Sequence, residues 1–243
     1  MNNIIFNKNE QMKKILVFTG AGVSAESGIK TFRDYNGLWN DYCVEDVATP
    51  EAFQRNPELV LDFYNMRRKE LLNVQPNDAH RLIAQLELNY DVTVITQNVD
   101  DLHERAGSKK VKHLHGELLK VRSTINPTDI KYWDKDLNLG DMCELGGQLR
   151  PHIVWFGEML DEQLLQYARE KASQADYCIV VGTSLQVFPA AEIPYYTSDQ
   201  CIVFAVDPNM NDIQLDFPEN RLVRITQNAT IGMLEVHRYL KNL

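Results

Sequence analysis

The feature that most constrains this chain is a set of short apolar runs that show no polar alternation. Ile15-Leu16-Val17-Phe18, Val92-Thr93-Val94-Ile95, Tyr177-Cys178-Ile179-Val180-Val181 and Cys201-Ile202-Val203-Phe204-Ala205-Val206 are the strong ones, and Leu222-Val223-Arg224-Ile225 is weaker. A strand with one wet face alternates apolar and polar residues, whereas a strand buried on both faces does not. The stretches between the runs are amphipathic: one begins at Asp78 and continues through Leu82, Leu86 and Leu88, another covers 161–174, and the last covers 231–240. This alternation predicts an α/β fold, a Rossmann-like doubly wound parallel sheet.

Two stretches break the rhythm. Residues 30–75 hold helical pieces and turns without a strong strand. Residues 117–149 are polar and irregular, with turn signals at Asn126-Pro127 and Gly146-Gly147. Both are expected to be insertions that build a small second lobe. The expected division is one catalytic domain over 12–243. Its large lobe takes 12–29, 76–116 and 150–243, its small lobe 30–75 and 117–149, and residues 1–11 form a tail. A cleft between two lobes is a common ligand site.

Charge and cysteine usage narrow the function classes. The formal net charge of −9 argues against nucleic acid or an anionic membrane surface as partner. No apolar run approaches the roughly 20 residues that span a bilayer, and the N-terminus lacks the apolar core of a secretory signal. Cys43, Cys143, Cys178 and Cys201 are far apart, and no pair has metal-finger spacing. Reduced thiols in a cytoplasmic protein are expected.

Polar motifs fall where the predicted strands end. Gly20-Ala21-Gly22-Val23-Ser24 follows the first run. Glycines there let backbone N–H groups approach a pyrophosphate, and a helix N-terminus adds favourable charge. The spacing is neither G-x-G-x-x-G nor a P-loop. Thr96-Gln97-Asn98-Val99-Asp100 ends the second run, where Gln97, Asn98 and Asp100 can meet a ribose or a carboxamide. A turn capping the next helix explains the same residues equally well. Gly182-Thr183-Ser184 ends the third run and suits phosphate or ribose. His113-Leu114-His115-Gly116 offers a general base with a pKa near neutrality. Val154-Trp155-Phe156-Gly157-Glu158 reads as extended, either a core strand or an edge that pairs with a peptide backbone.

Taken in order, these segments resemble the sirtuin family of NAD⁺-dependent protein deacylases. Gly28-Ile29-Lys30-Thr31-Phe32-Arg33 and Leu149-Arg150-Pro151 belong to the same ordered set. The resemblance implies that NAD⁺ is consumed as a co-substrate. Phe32 and Arg33 would lie on a loop over it, and Gly20, Ala21, Gly22, Ser24, Gln97, Asn98, Asp100, Gly182, Thr183 and Ser184 would hold it. Asp207, where the family often has Asn, and Ala229 would lie at its adenine end. An acyl-lysine oxygen would attack C1′ of the nicotinamide ribose to give an alkylimidate, and His115 would act as the base. Products would be nicotinamide, free lysine and O-acyl-ADP-ribose. Val154, Trp155, Phe156 and Gly157 would bind the substrate peptide, and acyl-lysine proteins would be the partners. No pattern bears on oligomeric state.

Gly37-Leu38-Trp39, Val47-Ala48-Thr49-Pro50 and Phe63-Tyr64-Asn65-Met66-Arg67-Arg68 resemble the bacterial desuccinylase and demalonylase branch. Tyr64 and Arg67, three apart on a predicted helix, share a face and would bind an acyl carboxylate, with the small Ala48 leaving room for a longer chain. The family's structural zinc needs two Cys-x-x-Cys pairs, and this chain has neither. Ser123 stands where the first cysteine is expected, Met142 and Leu145 stand where the second pair is expected, and Cys143 is one position off. No zinc is therefore expected, and Tyr132, Trp133, Leu137, Leu139 and Met142 are expected to form an apolar substitute. ADP-ribosyl transfer to protein and a non-catalytic NAD⁺-sensing module stay open as alternatives.

Overall fold

The computed structural model describes residues 12–30, 38–39 and 42–242. Its strands are β1 (Lys14–Thr19), β2 (Leu38–Trp39), β3 (Tyr42–Cys43), β4 (Asp91–Thr96), β5 (Val111–His113), β6 (Gly116–Ser123), β7 (Ile130–Tyr132), β8 (Leu149–Ile153), β9 (Tyr177–Val181), β10 (Ile202–Val206) and β11 (Leu222–Ile225). Helices are α1 (Gly22–Ala25), α2 (Val44–Val47), α3 (Pro50–Arg55), α4 (Pro57–Asn73), α5 (Asp78–Leu86), α6 (Leu102–Ala106), α7 (Glu162–Ser173) and α8 (Ala229–Leu240).

The five apolar runs all lie in one parallel sheet of order β11-β10-β9-β1-β4-β5. Numbered along its own strands and read from β5, that order is 3-2-1-4-5-6, the arrangement of dinucleotide-binding sheets. The absence of alternation has the expected cause. Leu16 and Phe18 of β1 pack with Leu165, Ala168 and Ala172 of α7. Ile15 and Val17 pack on the other face with Ile83 and Leu86 of α5 and Met233 and Val236 of α8. Local chemistry sets the helix starts: Asp161 accepts from the backbone N–H of Gln163 and Leu164, and Asn77 with His80 forms a capping box. Among the described residues, no helix is long and apolar enough to cross a membrane.

Residues 117–149 hold strands as well as irregular turns. With their flanks they form a three-stranded antiparallel sheet of order β7-β6-β8. The polar turns between its strands hid it, and a register shift between Glu117 and Val121 breaks the two-residue period. Pro151 is tolerated because β8 is an edge strand. The sheet extends past residue 149 through β8. Helix α4 lies across this region, and Val60, Phe63, Tyr64 and Leu71 pack with Leu118, Leu119, Ile153 and Trp155.

The expected apolar substitute for zinc is only partly right. Tyr132, Leu139 and Met142 are 65%, 55% and 55% exposed, so they cannot staple anything. The cluster that exists is Leu61, Val121, Leu137, Cys143 and Leu149, with Phe53 and Trp133 against it. Which residues face inward depends on how the sheet meets α4, and no local period encodes that.

Candidate active site

Between β1 and β9 the sheet reverses its order of winding, so the loops after these two strands diverge and leave a crevice. A cavity of about 860 Å³ opens there. Gly20, Ala21, Gly22 and Ser24 line it from the β1 end, Gln97, Asn98 and Asp100 from the β4 end, and Gly182, Thr183 and Ser184 from the β9 end. Asp207 after β10 and Ala229 at the start of α8 line it as well. On the side of the antiparallel sheet stand His115, Ala48, Tyr64, Arg67 and Val154 through Glu158. One cavity thus collects every expected site residue that is described. Phe32 and Arg33 lie outside the described residues.

The glycines serve close contact between the two central loops. The Gly20 N–H donates to the Val181 carbonyl at 3.1 Å and the Gly22 N–H to the Gly182 carbonyl at 2.9 Å. Both donors are engaged inside the protein. A Cβ at Gly22 would stand 2.7 Å from Gly182 Cα, and one at Gly182 would stand 2.4 Å from the Val23 nitrogen. Glycine is needed where the two central loops touch backbone to backbone, and Gly182 also has φ +61°.

Beneath the cavity the polar side chains are locked together. Ser24 Oγ donates to Asp100 Oδ2 at 2.9 Å and accepts from Asn98 Nδ2 at 3.2 Å. Asp100 Oδ1 accepts from the Leu102 N–H at 3.2 Å. Burial raises the pKa of Asp100, while the hydrogen bonds from Leu102 and Ser24 oppose the rise. The Gln97 amide donates to Thr183 Oγ1 at 2.8 Å, tying the β4 loop to the β9 loop. Asp207 Oδ1 accepts from the Asn209 N–H at 2.8 Å.

The two alternating histidines part company. His113 uses both nitrogens, Nδ1 with the Asn98 carbonyl and Nε2 with Glu104, each at 2.8 Å. Burial works to lower its pKa, but the hydrogen bond and charge of Glu104 raise it overall. His115 sits in the turn after β5 and engages Nδ1 with the Gln97 carbonyl at 2.9 Å. A carbonyl only accepts, so the proton sits on Nδ1 and the basic lone pair on Nε2. Burial lowers the His115 pKa, keeping the ring neutral around pH 7. Gly116 follows with φ +85°, and a Cβ there would stand 2.0 Å from the His152 carbonyl oxygen. The glycine lets β6 leave the histidine turn directly against β8.

Val154 to Glu158 is a loop after β8 and not a strand. The Val154 N–H donates to the His115 carbonyl at 2.9 Å and the Phe156 N–H to the Ala48 carbonyl at 3.0 Å. Ala48 and Tyr64 are buried, and Arg67 is buried with Nη1 3.0 Å from Glu70. Burial lowers the Arg67 pKa while Glu70 raises it.

Two buried groups escaped the sequence reading. His80 Nε2 lies 3.4 Å from Ser24 Oγ, and His103 Nε2 lies 3.0 Å from Thr19 Oγ1. Both are neutral, with burial the first cause, which pushes His80 down to about 4 and His103 well below its ordinary value. Each sits on a helix among ordinary periodic residues, so no local signal separates them.

The donor set near β6 does not fit zinc. Ser123 Oγ donates to Cys143 Sγ at 3.2 Å, and the Gly147 N–H donates to the same sulfur at 3.2 Å. One thiol and one hydroxyl cannot make a four-ligand tetrahedral site. Among the described residues no group of three or more His, Cys, Asp or Glu could hold a metal ion.

A sequence model of the Sir2 family matches residues 20–189. An NAD-dependent protein deacylase of Helicobacter pylori strain J99 is 48% identical over 225 residues, covering 93% of this chain and 94% of its own length. One of Bacteroides thetaiotaomicron is 52% identical over 207 residues, covering 83% and 88%. Among solved structures, a mutant Sir2 homologue in complex with ADP-ribose superposes with a TM-score of 0.83 at 39% identity, covering 96% of this chain and 93% of that one. A Sir2 homologue in complex with NAD superposes at 0.81 and 38% identity, covering 96% and 91%.

Proposed function

The chain belongs to the Sir2 family, and on that premise we propose that it is an NAD⁺-dependent protein-lysine deacylase with a preference for succinyl and malonyl groups, accepting acetyl as well. The observation that carries this reading is the composition of this one cavity. His115, with its basic lone pair on Nε2, shares it with Tyr64 and Arg67 on one side and the loops after β1, β4 and β9 on the other.

When bound, NAD⁺ supplies an electrophilic ribose carbon, C1′, and a nicotinamide leaving group. The chain's own residues do the rest. The loops at Gly20 to Ser24 and Gly182 to Ser184 would cradle the pyrophosphate. Gln97, Asn98 and Asp100 orient the nicotinamide ribose, and Asp207 and Ala229 meet the adenosine end. His115 accepts at Nε2 a proton from a ribose hydroxyl while Nδ1 stays bound to the Gln97 carbonyl. Val154, Trp155, Phe156 and Gly157 hold the peptide, and Tyr64, Arg67 and Ala48 receive the acyl end. A guanidinium beside a phenol suits a carboxylate, since both donate hydrogen bonds to it.

The same reading divides the chain into a large lobe of 12–29, 76–116 and 150–243 and a small lobe of 30–75 and 117–149, with the antiparallel sheet reaching across that boundary through β8. A cytoplasmic setting is part of it, in keeping with four free cysteines. Burial pushes the Cys201 thiol up to about 12 and Cys178 well above its ordinary value, which makes both inert.

The test is to incubate the protein with NAD⁺ and succinyl-, malonyl-, acetyl- and unmodified lysine peptides of one sequence. Nicotinamide release and peptide mass are then followed. Acyl loss matched one to one by nicotinamide supports the reading. Nicotinamide release with the peptide gaining ADP-ribose would replace it with transfer to protein, and binding without turnover would make the chain a sensor.

We also propose that the small lobe holds no zinc. Purified protein is expected to carry far less than one zinc per chain, and a strong chelator should leave its melting temperature unmoved. A tightly held zinc near one per chain would refute this.

A further inference from the structure

We propose that Trp155 is a positioning residue for acyl selectivity: its indole N–H sets the direction in which the Tyr64 hydroxyl donates. The inference rests on the carboxylate-binding reading of Tyr64 and Arg67 and deepens it.

The geometry is specific. Trp155 Nε1 donates to Tyr64 Oη at 2.9 Å, with the residues only 3% and 1% exposed. An indole N–H is donor-only, whereas a phenol both donates and accepts. This bond therefore occupies a lone pair of Oη and turns the phenolic proton away from Trp155. Burial raises the Tyr64 pKa, so the group remains a neutral donor. A carboxylate only accepts, and it needs that proton aimed at it. A hydroxyl free to rotate would spend part of its time presenting a lone pair to the anion.

Trp155 itself is held by a charged clamp. Arg150 lies over the indole face, 3.3 Å from the ring centroid. Glu158 grips Arg150 with both oxygens, at 2.6 and 2.9 Å, and accepts from the Trp155 backbone N–H at 2.8 Å. Arg122 adds a further bond to Glu158 at 3.0 Å. A cation over the ring face draws electron density from the indole and strengthens its N–H as a donor. Arg150, Trp155 and Glu158 all lie in or beside the loop that closes the acyl end, so the loop's fold and the hydroxyl's orientation are coupled.

The experiment replaces Trp155 with 3-benzothienylalanine, which keeps the bicyclic shape and deletes only the N–H, and compares it with Trp155→Phe. For each protein, kcat/KM is measured on succinyl- and acetyl-lysine peptides of one sequence, and the ratio is the readout. Both substitutions are expected to lower the succinyl-to-acetyl ratio roughly tenfold, the effect of about one hydrogen bond to a charged group. Tyr64→Phe is expected to lower it at least as far. Adding the Trp155 change to Tyr64→Phe should then move the ratio less than about twofold, because both act through one hydroxyl. A ratio unmoved by benzothienylalanine, or two effects that multiply, would overturn the proposal. A ratio that neither Tyr64→Phe nor Arg67→Met moves would remove the carboxylate clamp itself, and this proposal with it.

Discussion

Replacing His115 with alanine is expected to lower NAD⁺-dependent deacylation by about 10²–10⁴-fold, the usual contribution of a positioned general base. The side chain is fixed at one end only, by Nδ1 on the Gln97 carbonyl, so its loss should leave the surrounding backbone in place. NAD⁺ binding by calorimetry and the melting temperature are the controls. The pH profile carries a second, independent sign. The working form is the neutral ring, and burial lowers the pKa below the usual value near 6.5. Activity should therefore be flat above neutrality and fall as pH drops through that lowered pKa. In kcat/KM measured from about pH 5 to pH 9, this acid limb should be present in the wild type and missing from the residual activity of His115→Ala. His113→Gln offers a contrast. Its ring is bonded at both nitrogens to Asn98 and Glu104, so it should act on stability and keep the acid limb. Equal loss of the limb in both variants, or most of the turnover surviving in His115→Ala, would unseat the assignment.

Arg67→Met should lower desuccinylation and demalonylation by about ten- to a hundredfold more than deacetylation, since charge-assisted hydrogen bonds are worth roughly 1.5–3 kcal/mol each. Methionine keeps much of the apolar stem that α4 buries and removes the guanidinium. The structural cost should be small for a second reason. Glu70, the ion-pair partner of Arg67, has a side chain 40% exposed and can be solvated without it. The measurement is kcat/KM for succinyl-, malonyl- and acetyl-lysine on one peptide sequence. Matching losses on all three would mean that Arg67 supports the helix and does not read the acyl group. Arg68, its neighbour, is the useful control. It is buried against the Leu118 carbonyl and the Asn65 amide oxygen, so Arg68→Met should destabilise the fold without changing the ratio.

How much of this was legible without coordinates varies with the range of the interaction. Five of the six strands of the parallel sheet were legible because burial on both faces writes itself into consecutive residues of one run, whereas β5, with no fully buried residue, was not. The starts of α5 and α7 were legible at Asp78 and Asp161, where the amphipathic pattern begins, and the structure shows Asn77 and Asp161 capping them through backbone groups two and three residues away. The antiparallel sheet was not, since β7 is short and mostly exposed and a register break at Glu117/Val121 disrupts the two-residue period of β6. The identity of the cluster around Leu137 and Cys143 was also hidden. Leu61 and Leu149, far apart in the chain, enter it only once α4 and β8 have met.

The site divides in the same way. The residues at the ends of β1, β4 and β9 were named from their positions alone, because a parallel sheet brings the carboxyl ends of its strands to one edge. What each one does there was decided only in three dimensions. The glycine N–H groups are engaged between two loops, the Gln97 amide is bound to Thr183, and the Tyr64 hydroxyl faces an indole N–H 91 positions along the chain. The sequence by itself determined the sheet, the family and the residue types gathered at the crevice. The tertiary structure decided which nitrogen of His115 is basic and which side chains lock the polar floor. The reason is physical: periodicity records burial, which is averaged over a whole face, whereas the direction of a hydrogen bond depends on one particular partner that the fold alone delivers.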